Sequence, residues 1–290
     1  MTKPLINKLC VIGVGLIGGS LARALRKAGA VSHIVGAGRD ETHLKRAQEL
    51  GVIDSFSTDL GKAVSDADMI VLAVPLGAMR TVMQQIKNHI TYKSVLTDVG
   101  SAKNSVIHDA KNVFGSLPAN FVPGHPIAGT ELSGVEASFA ELYKNRRIIV
   151  TPHEESDSDA TEKVKAMWQA CGAEVVEMNP QHHDEILAAT SHLPHMLAYG
   201  LVDTLARMDD SQEIFDFAAG GFKDFTRIAS SDPNMWHDIC LANHEALVPV
   251  LEKFSDELRQ LADAVRNSDS DFIKKTFNRA KQARDKFCND

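Results

Sequence analysis

Residues 9–20 read Leu9-Cys-Val-Ile12-Gly13-Val-Gly15-Leu16-Ile17-Gly18-Gly-Ser20, an apolar run that passes directly into a glycine turn. Such a run predicts a buried strand, and Leu21, Leu25 and Ala28 continue from it with helical spacing. In a strand–turn–helix the three spaced glycines have separate physical roles. Gly13 permits the tight turn, Gly15 lets the backbone approach a pyrophosphate, and Gly18 lets the helix close on the strand. The pyrophosphate would rest on unpaired N–H groups at the helix N-terminus, which places Leu16 and Ile17 in the same site. The competing reading is a glycine turn that only packs tightly.

Outward from this unit, strand and helix signals alternate. His33–Val35, Met69–Val74, Ser94–Thr97, Phe121–Val122, Arg147–Thr151 and Ala173–Met178 are strand candidates separated by helical stretches. That order implies right-handed βαβ units and a parallel sheet. From Pro180 onward the period becomes helical, over 181–206, 235–265 and 270–286, interrupted by a glycine-rich break at 217–227. At 290 residues, the chain is about twice the ~150 of a typical domain. The expectation is an α/β dinucleotide-binding domain over 1–180 and an all-α domain over 181–290.

Composition narrows the function further. With 31 Lys+Arg against 38 Asp+Glu, the net charge of −7 argues against a nucleic-acid partner. The four cysteines, Cys10, Cys171, Cys240 and Cys288, form no C-x-x-C pair and predict neither a zinc ribbon nor a disulfide framework. No signal peptide or membrane span is legible, so the expected location is cytoplasmic.

Cofactor choice should be written about 20 residues beyond the glycines, at the end of the second strand. There the sequence is Gly36-Ala-Gly38-Arg39-Asp40. Gly38 stands where an acid would hold a ribose 2′-hydroxyl, and Arg39 could receive a 2′-phosphate. The pattern favours NADP, while Asp40 or a main-chain contact leaves NAD open.

Three polar clusters are candidates for the chemistry. Ser101, in Asp98-Val-Gly-Ser101-Ala-Lys103, lies just past a strand, where it could contact substrate or nicotinamide or cap the next helix. His125, after a strand and between Gly124 and Pro126, has a set orientation and titrates near neutrality, which suits a base. Thr130 and Glu131 follow it. In the helical half, Asp184 and His195 are 11 residues apart and would share a helix face, unless Pro194 kinks the helix. His192 and His195 lack the further ligands a metal would need, so no metal is expected. Arg227, read as part of the glycine-flanked loop, could clamp a carboxylate or form a surface ion pair with Asp224 or Asp232.

The segments GVGLIGGS (13–20), AVP (73–75), DVGSAK (98–103), GHPIAGTELSGVE (124–136), TSHLPH (190–195) and GGFKDFTRIASSDPNMW (220–236) resemble, in order, those of the prephenate dehydrogenase family, with its arogenate and cyclohexadienyl members. The resemblance implies oxidative decarboxylation of prephenate or arogenate in tyrosine biosynthesis, with NAD(P)+ as hydride acceptor. By residue matching it makes His125 the base on the substrate 4-hydroxyl, Arg227 the partner of the ring carboxylate, and Ser101 a neighbour of hydroxyl and nicotinamide. It places Thr130, Glu131, His195, Gly220 and Trp236 in the substrate pocket and its gate, with Asp184 in support. Val74 and Pro75 join Gly13, Gly15, Leu16, Ile17, Gly18, Gly38 and Arg39 at the cofactor. It further implies a homodimer through the helical domain and a monofunctional chain. Gly38-Arg39 departs from a common family pattern, an acid at that point. Two other readings stand beside it: a different Rossmann-plus-helical dehydrogenase, and a non-catalytic NAD(P)-sensing module.

Overall fold

The computed structural model describes residues 4–130 and 132–289. Its first half builds a parallel sheet from β1 (Ile6–Ile12), β2 (Val31–Ala37), β3 (Ser55–Ser57), β4 (Met69–Leu72) and β5 (Val95–Asp98). The strand order is β3-β2-β1-β4-β5, with Leu9 opposite Ile34 on one side and Met69 on the other. The connecting helices are α1 (Leu16–Lys27), α2 (Glu41–Glu49), α3 (Leu60–Val64), α4 (Leu76–Ile86) and, after β5, α5 (Asn104–Phe114).

The central strand explains why the sheet is covered on both faces. Alternate residues of a strand point to opposite sides. Leu9 and Val11 enter a core with Leu21, Leu25 and Trp168, whereas Cys10 and Ile12 enter another with Ile70, Leu72, Met79 and Phe121. Burying each of the larger side chains contributes about 1.5–3 kcal/mol. A strand apolar on both faces leaves no solvent-facing alternation, which is why it reads as a continuous hydrophobic run.

A second sheet follows, built from β6 (Gly124–Pro126), β7 (Arg147–Val150) and, after α6 (Ser158–Ala170), β8 (Glu174–Glu177). Here the expectation of an all-parallel arrangement fails, because β6 runs antiparallel to β7. Phe121 forms only an isolated bridge to Leu96, and the strand begins three residues later. His125 therefore lies within a strand rather than after one, paired with Ile149.

No strand follows β8 among the described residues. The helices are α7 (Pro180–Leu187), α8 (Leu193–Ala206), α9 (Ser211–Asp216), α10 (Gly220–Thr226), α11 (Pro233–Ala242), α12 (His244–Arg266) and α13 (Ser270–Asn289). A π-turn over Ala188–His192 divides α7 from α8, and a 3₁₀ turn over Arg227–Ser230 follows α10. Side chains that accept backbone N–H groups mark where many helices begin: Asp40 for α2, Asp59 for α3, Asp157 for α6, Asn179 for α7 and Asp232 for α11. By compactness the chain forms two units, Met1–His244 and Glu245–Asp290. The candidate site residues described below all belong to the first. None of the described helices is long and apolar enough to cross a membrane.

Candidate active site

At the glycine turn, Gly13 has φ +97°, and a Cβ there would lie 2.2 Å from the carbonyl oxygen of Ala73. A Cβ on Gly18 would meet the Gly13 carbonyl oxygen at the same distance. Gly15 differs, because a Cβ there would meet nothing within 4 Å. It faces open space at the mouth of α1, where no side chain caps the helix. The first N–H to bond back is that of Gly19, to Gly15 at 2.8 Å. The N–H groups of Leu16, Ile17 and Gly18 are thus unpaired among the described residues and lie at the positive end of the helix dipole. An open glycine facing three free donors fits a dinucleotide pyrophosphate. The side chains of Leu16 and Ile17 pack into or against the core, so their part in such a site is played by the main chain.

Val74 and Pro75 follow β4 across the switch point from this turn, and the Val74 methyl would approach a Gly13 Cβ at 3.1 Å. Gly38 lies one residue past β2, and a Cβ on it would touch only Leu44, at 3.9 Å. Arg39 is exposed. The Asp40 carboxylate accepts the His43 N–H at 3.1 Å, and His43 Nε2 lies 2.9 Å from the Val14 carbonyl, which ties α2 to the glycine turn.

The β5–α5 turn carries a fully buried ion pair. Lys103 Nζ donates to Asp98 Oδ2 at 2.5 Å and to the Gly124 carbonyl at 2.6 Å, with both charged side chains 0% exposed. Burial pulls the Lys103 pKa down, opposed by the Asp98 charge and hydrogen bond. Asp98 also accepts the Gly100 and Gly124 N–H groups at 2.8 and 3.3 Å. The end of β5 is thereby bolted to β6 one residue before His125. Ser101, half-buried on this turn, is not the cap of α5. That work is done by Asp184, whose two carboxylate oxygens accept the N–H groups of Lys103 and Asn104, each at 2.8 Å.

Asp184 and His195 lie on two helices, α7 and α8, divided by the π-turn. Pro194 has no N–H for the residue four back, and the helix accommodates it with the wider π-turn just before. Asp184 is 2% exposed, and His195 stacks on Trp236 with centroids 3.6 Å apart. His195 Nδ1 donates to the Ser191 carbonyl at 2.8 Å. Burial, then the Arg227 charge, lower its pKa against that bond.

His125 is buried, and its Nδ1 lies 2.9 Å from His183 Nε2. His183 Nδ1 in turn lies 2.8 Å from Asp184 Oδ1. Burial, assisted by the Lys103 charge, pushes the His125 pKa well below 6.5. Nearby, Asn243 Nδ2 donates to the Asp184 carbonyl and to His192 Nδ1, each at 2.9 Å. Burial brings His192 down to about 4.

The remaining predicted residues lie on several elements. Thr130 is exposed, and its hydroxyl accepts the Leu132 N–H at 3.2 Å. Glu131 lies outside the described residues. Gly220 opens α10, so the glycine pair starts a helix instead of breaking one. Arg227 accordingly begins a 3₁₀ turn at the end of that helix and is not in a loop. Trp236 is buried in α11.

Residues 21–177 match the family described as prephenate dehydrogenase, nucleotide-binding domain, and residues 179–279 match prephenate dehydrogenase, dimerization domain. The chain belongs to the prephenate dehydrogenase family. Relatives in it include the cyclohexadienyl dehydrogenase of Zymomonas mobilis, 36% identical over 95% of this chain and 94% of that one. The prephenate dehydrogenase of Bacillus subtilis is 34% identical over 96% of this chain and 76% of its own length. Among solved structures, the prephenate dehydrogenase of A. aeolicus in complex with hydroxyphenyl propionate and NAD+ superposes with a TM-score of 0.89, covering 98% of both chains at 34% identity. The arogenate dehydrogenase of Synechocystis gives 0.81 at 26% identity, covering 97% of this chain and 99% of that one.

Against the family motifs, His183 and Asn243 are the residues the sequence reading missed. His183 lies in no motif, and its one local signal is its place beside Asp184. Asn243 fell inside the stretch 235–265 read as helical, whereas the structure places it between α11 and α12.

Proposed function

We propose that this protein is a dehydrogenase of cyclohexadienols, converting prephenate or its amino counterpart arogenate to the corresponding phenol with loss of CO2. The observation that carries the reading is His125. It is a buried imidazole with a depressed pKa, held on β6 beside the carboxyl end of the parallel sheet, where open α/β sheets bind their ligands. Bound NAD(P)+ supplies the hydride acceptor. His125, neutral at physiological pH, accepts the 4-hydroxyl proton at Nε2 as hydride leaves C4, the ring carboxylate departs as CO2 and the ring becomes aromatic. Because aromatisation drives the step, the chain's task is orientation and polarisation. Ser101 lies on the β5–α5 turn that is fastened to β6, which suits a second contact to the hydroxyl. Arg227, whose charge is felt at His195, binds the ring carboxylate, with His195 and Trp236 as one stacked wall. Thr130, Glu131 and Gly220 complete the pocket in this reading.

The glycine cradle holds the cofactor through the main chain of Leu16, Ile17 and Gly18. Gly38 offers no carboxylate at the end of β2, Arg39 is exposed, and Asp40 is engaged as a helix cap. These features support NADP over NAD. The match of 179–279 to a dimerization domain, with Leu258, Val265 and Phe277 exposed on α12 and α13, supports a homodimer through the helical half. Nicotinamide reduction, followed with each substrate under each cofactor, tests the reading. Turnover of at least one cyclohexadienyl substrate is expected. Absence of reduction in all four combinations would overturn it.

A further inference from the structure

We propose that His183, backed by Asp184, is a positioning residue that holds His125 as the tautomer carrying its proton on Nδ1, leaving the Nε2 lone pair to take a proton. The inference deepens the proposed function and rests on His125 being its base.

The argument follows the protons. Asp184 accepts at Oδ1 and Oδ2 from the main-chain N–H groups of Lys103 and Asn104, so it is ionised and has no proton to give. Burial alone would raise its pKa, but the hydrogen bonds from His183, Lys103 and Asn104 outweigh that and keep it below the usual value. The hydrogen between Asp184 and His183 therefore sits on His183 Nδ1. Burial, assisted by the Lys103 charge, keeps His183 neutral against the pull of Asp184 and Asp98. A neutral ring protonated on Nδ1 has a bare Nε2. The 2.9 Å contact from that Nε2 to His125 is then a hydrogen bond only if His125 Nδ1 donates. With its single proton on Nδ1, neutral His125 has Nε2 open, and this atom has no hydrogen-bond partner among the described residues.

The lock is rigid because its parts come from separate elements. His125 is on β6, His183 and Asp184 are on α7, and the groups Asp184 grips open α5. The charged and titratable groups facing the two rings are Lys103, Asp98, Asp184 and His192. Without an acceptor at His183, a proton on the buried Nδ1 would be stranded. The ring would move it to Nε2, where it blocks the reaction.

The test uses the whole protein labelled with 15N-histidine and long-range 1H–15N spectra, with the His125 signals assigned from His125→Asn. The wild type is expected to show His125 protonated on Nδ1. In His183→Leu the proton should shift to Nε2, and kcat should fall about 10²–10⁴-fold, the range of a lost general base, with KM changed little. His183→Gln, whose side-chain oxygen can accept from Nδ1, should keep the Nδ1 proton and recover most of that loss. A wild-type His125 protonated on Nε2 would overturn the proposal even if His183→Leu does not fold. So would equal losses in the Leu and Gln variants with an unchanged tautomer. Should the tautomer shift as expected while no cyclohexadienyl substrate turns over, the proposed function fails and the positioning role stands.

Discussion

The imidazole of His195 lies on the indole of Trp236, with centroids 3.6 Å apart and planes 20° from parallel. The stack joins α8 to α11, and the Arg227 charge acts on the same imidazole. Trp236→Ala should remove the support of the histidine and leave a cavity, costing about 3–5 kcal/mol in urea denaturation. Trp236→Phe should lose much less and keep KM closer to the wild type. Equal KM increases in both variants would separate the stack from substrate binding.

His125→Asn should lower kcat by about 10²–10⁴-fold while leaving substrate affinity nearly unchanged. Arg227→Ala should show the opposite pattern, with KM raised and kcat less affected. Steady-state kinetics on the two variants side by side checks the division of labour.

The depressed histidines set the pH behaviour. Because the His125 pKa in the folded protein lies well below 6.5, kcat/KM should be level from about pH 8 down past 6.5 and fall only in more acid solution. Stability has the same sign. A histidine whose pKa is lower folded than unfolded binds its proton more readily in the unfolded chain, so acid favours unfolding. For buried His192 the window runs from 6.5 down to about 4, and this group alone contributes a loss of about 3 kcal/mol across it. Urea midpoints at several pH values measure it, and His192→Gln should flatten the slope.

Replacing Lys103 with Met leaves the Asp98 carboxylate buried without its partner cation, and should cost about 3–5 kcal/mol. The same change frees the Gly124 carbonyl next to His125, so kcat should fall as well. Denaturation and kinetics on one preparation read both effects.

The cofactor is tested at Arg39. Arg39→Ala should reduce kcat/KM for NADP by about tenfold, the equivalent of one charge-assisted hydrogen bond, and leave NAD unaffected. An equal change for the two cofactors would remove Arg39 from the 2′ site.

The glycine turn and the buried strands are local features, and each was legible because its physics is contained in a few consecutive residues. Gly13 has to be glycine at φ +97° whatever the rest of the chain does. The family motifs likewise brought His125, Arg227 and Trp236 to attention. Where the sequence reading failed, a local rule met a distant partner. Ser101 had the position of a helix cap, yet Asp184, 80 residues from Asn104, took that role. The helical spacing of Asp184 and His195 assumed one ideal helix, and the π-turn before Pro194 interrupts it.

By itself, then, the sequence determined a dinucleotide fold, a helical second half and a histidine set between glycine and proline. Only the tertiary structure decided what stands behind that histidine. The Asp98–Lys103 pair, and the run from Asp184 through His183 to His125, join β5, β6, α5 and α7 through hydrogen bonds spanning up to 81 residues. Such bonds form because polar groups carried into the interior must find partners, and which partners they find depends on how the elements pack.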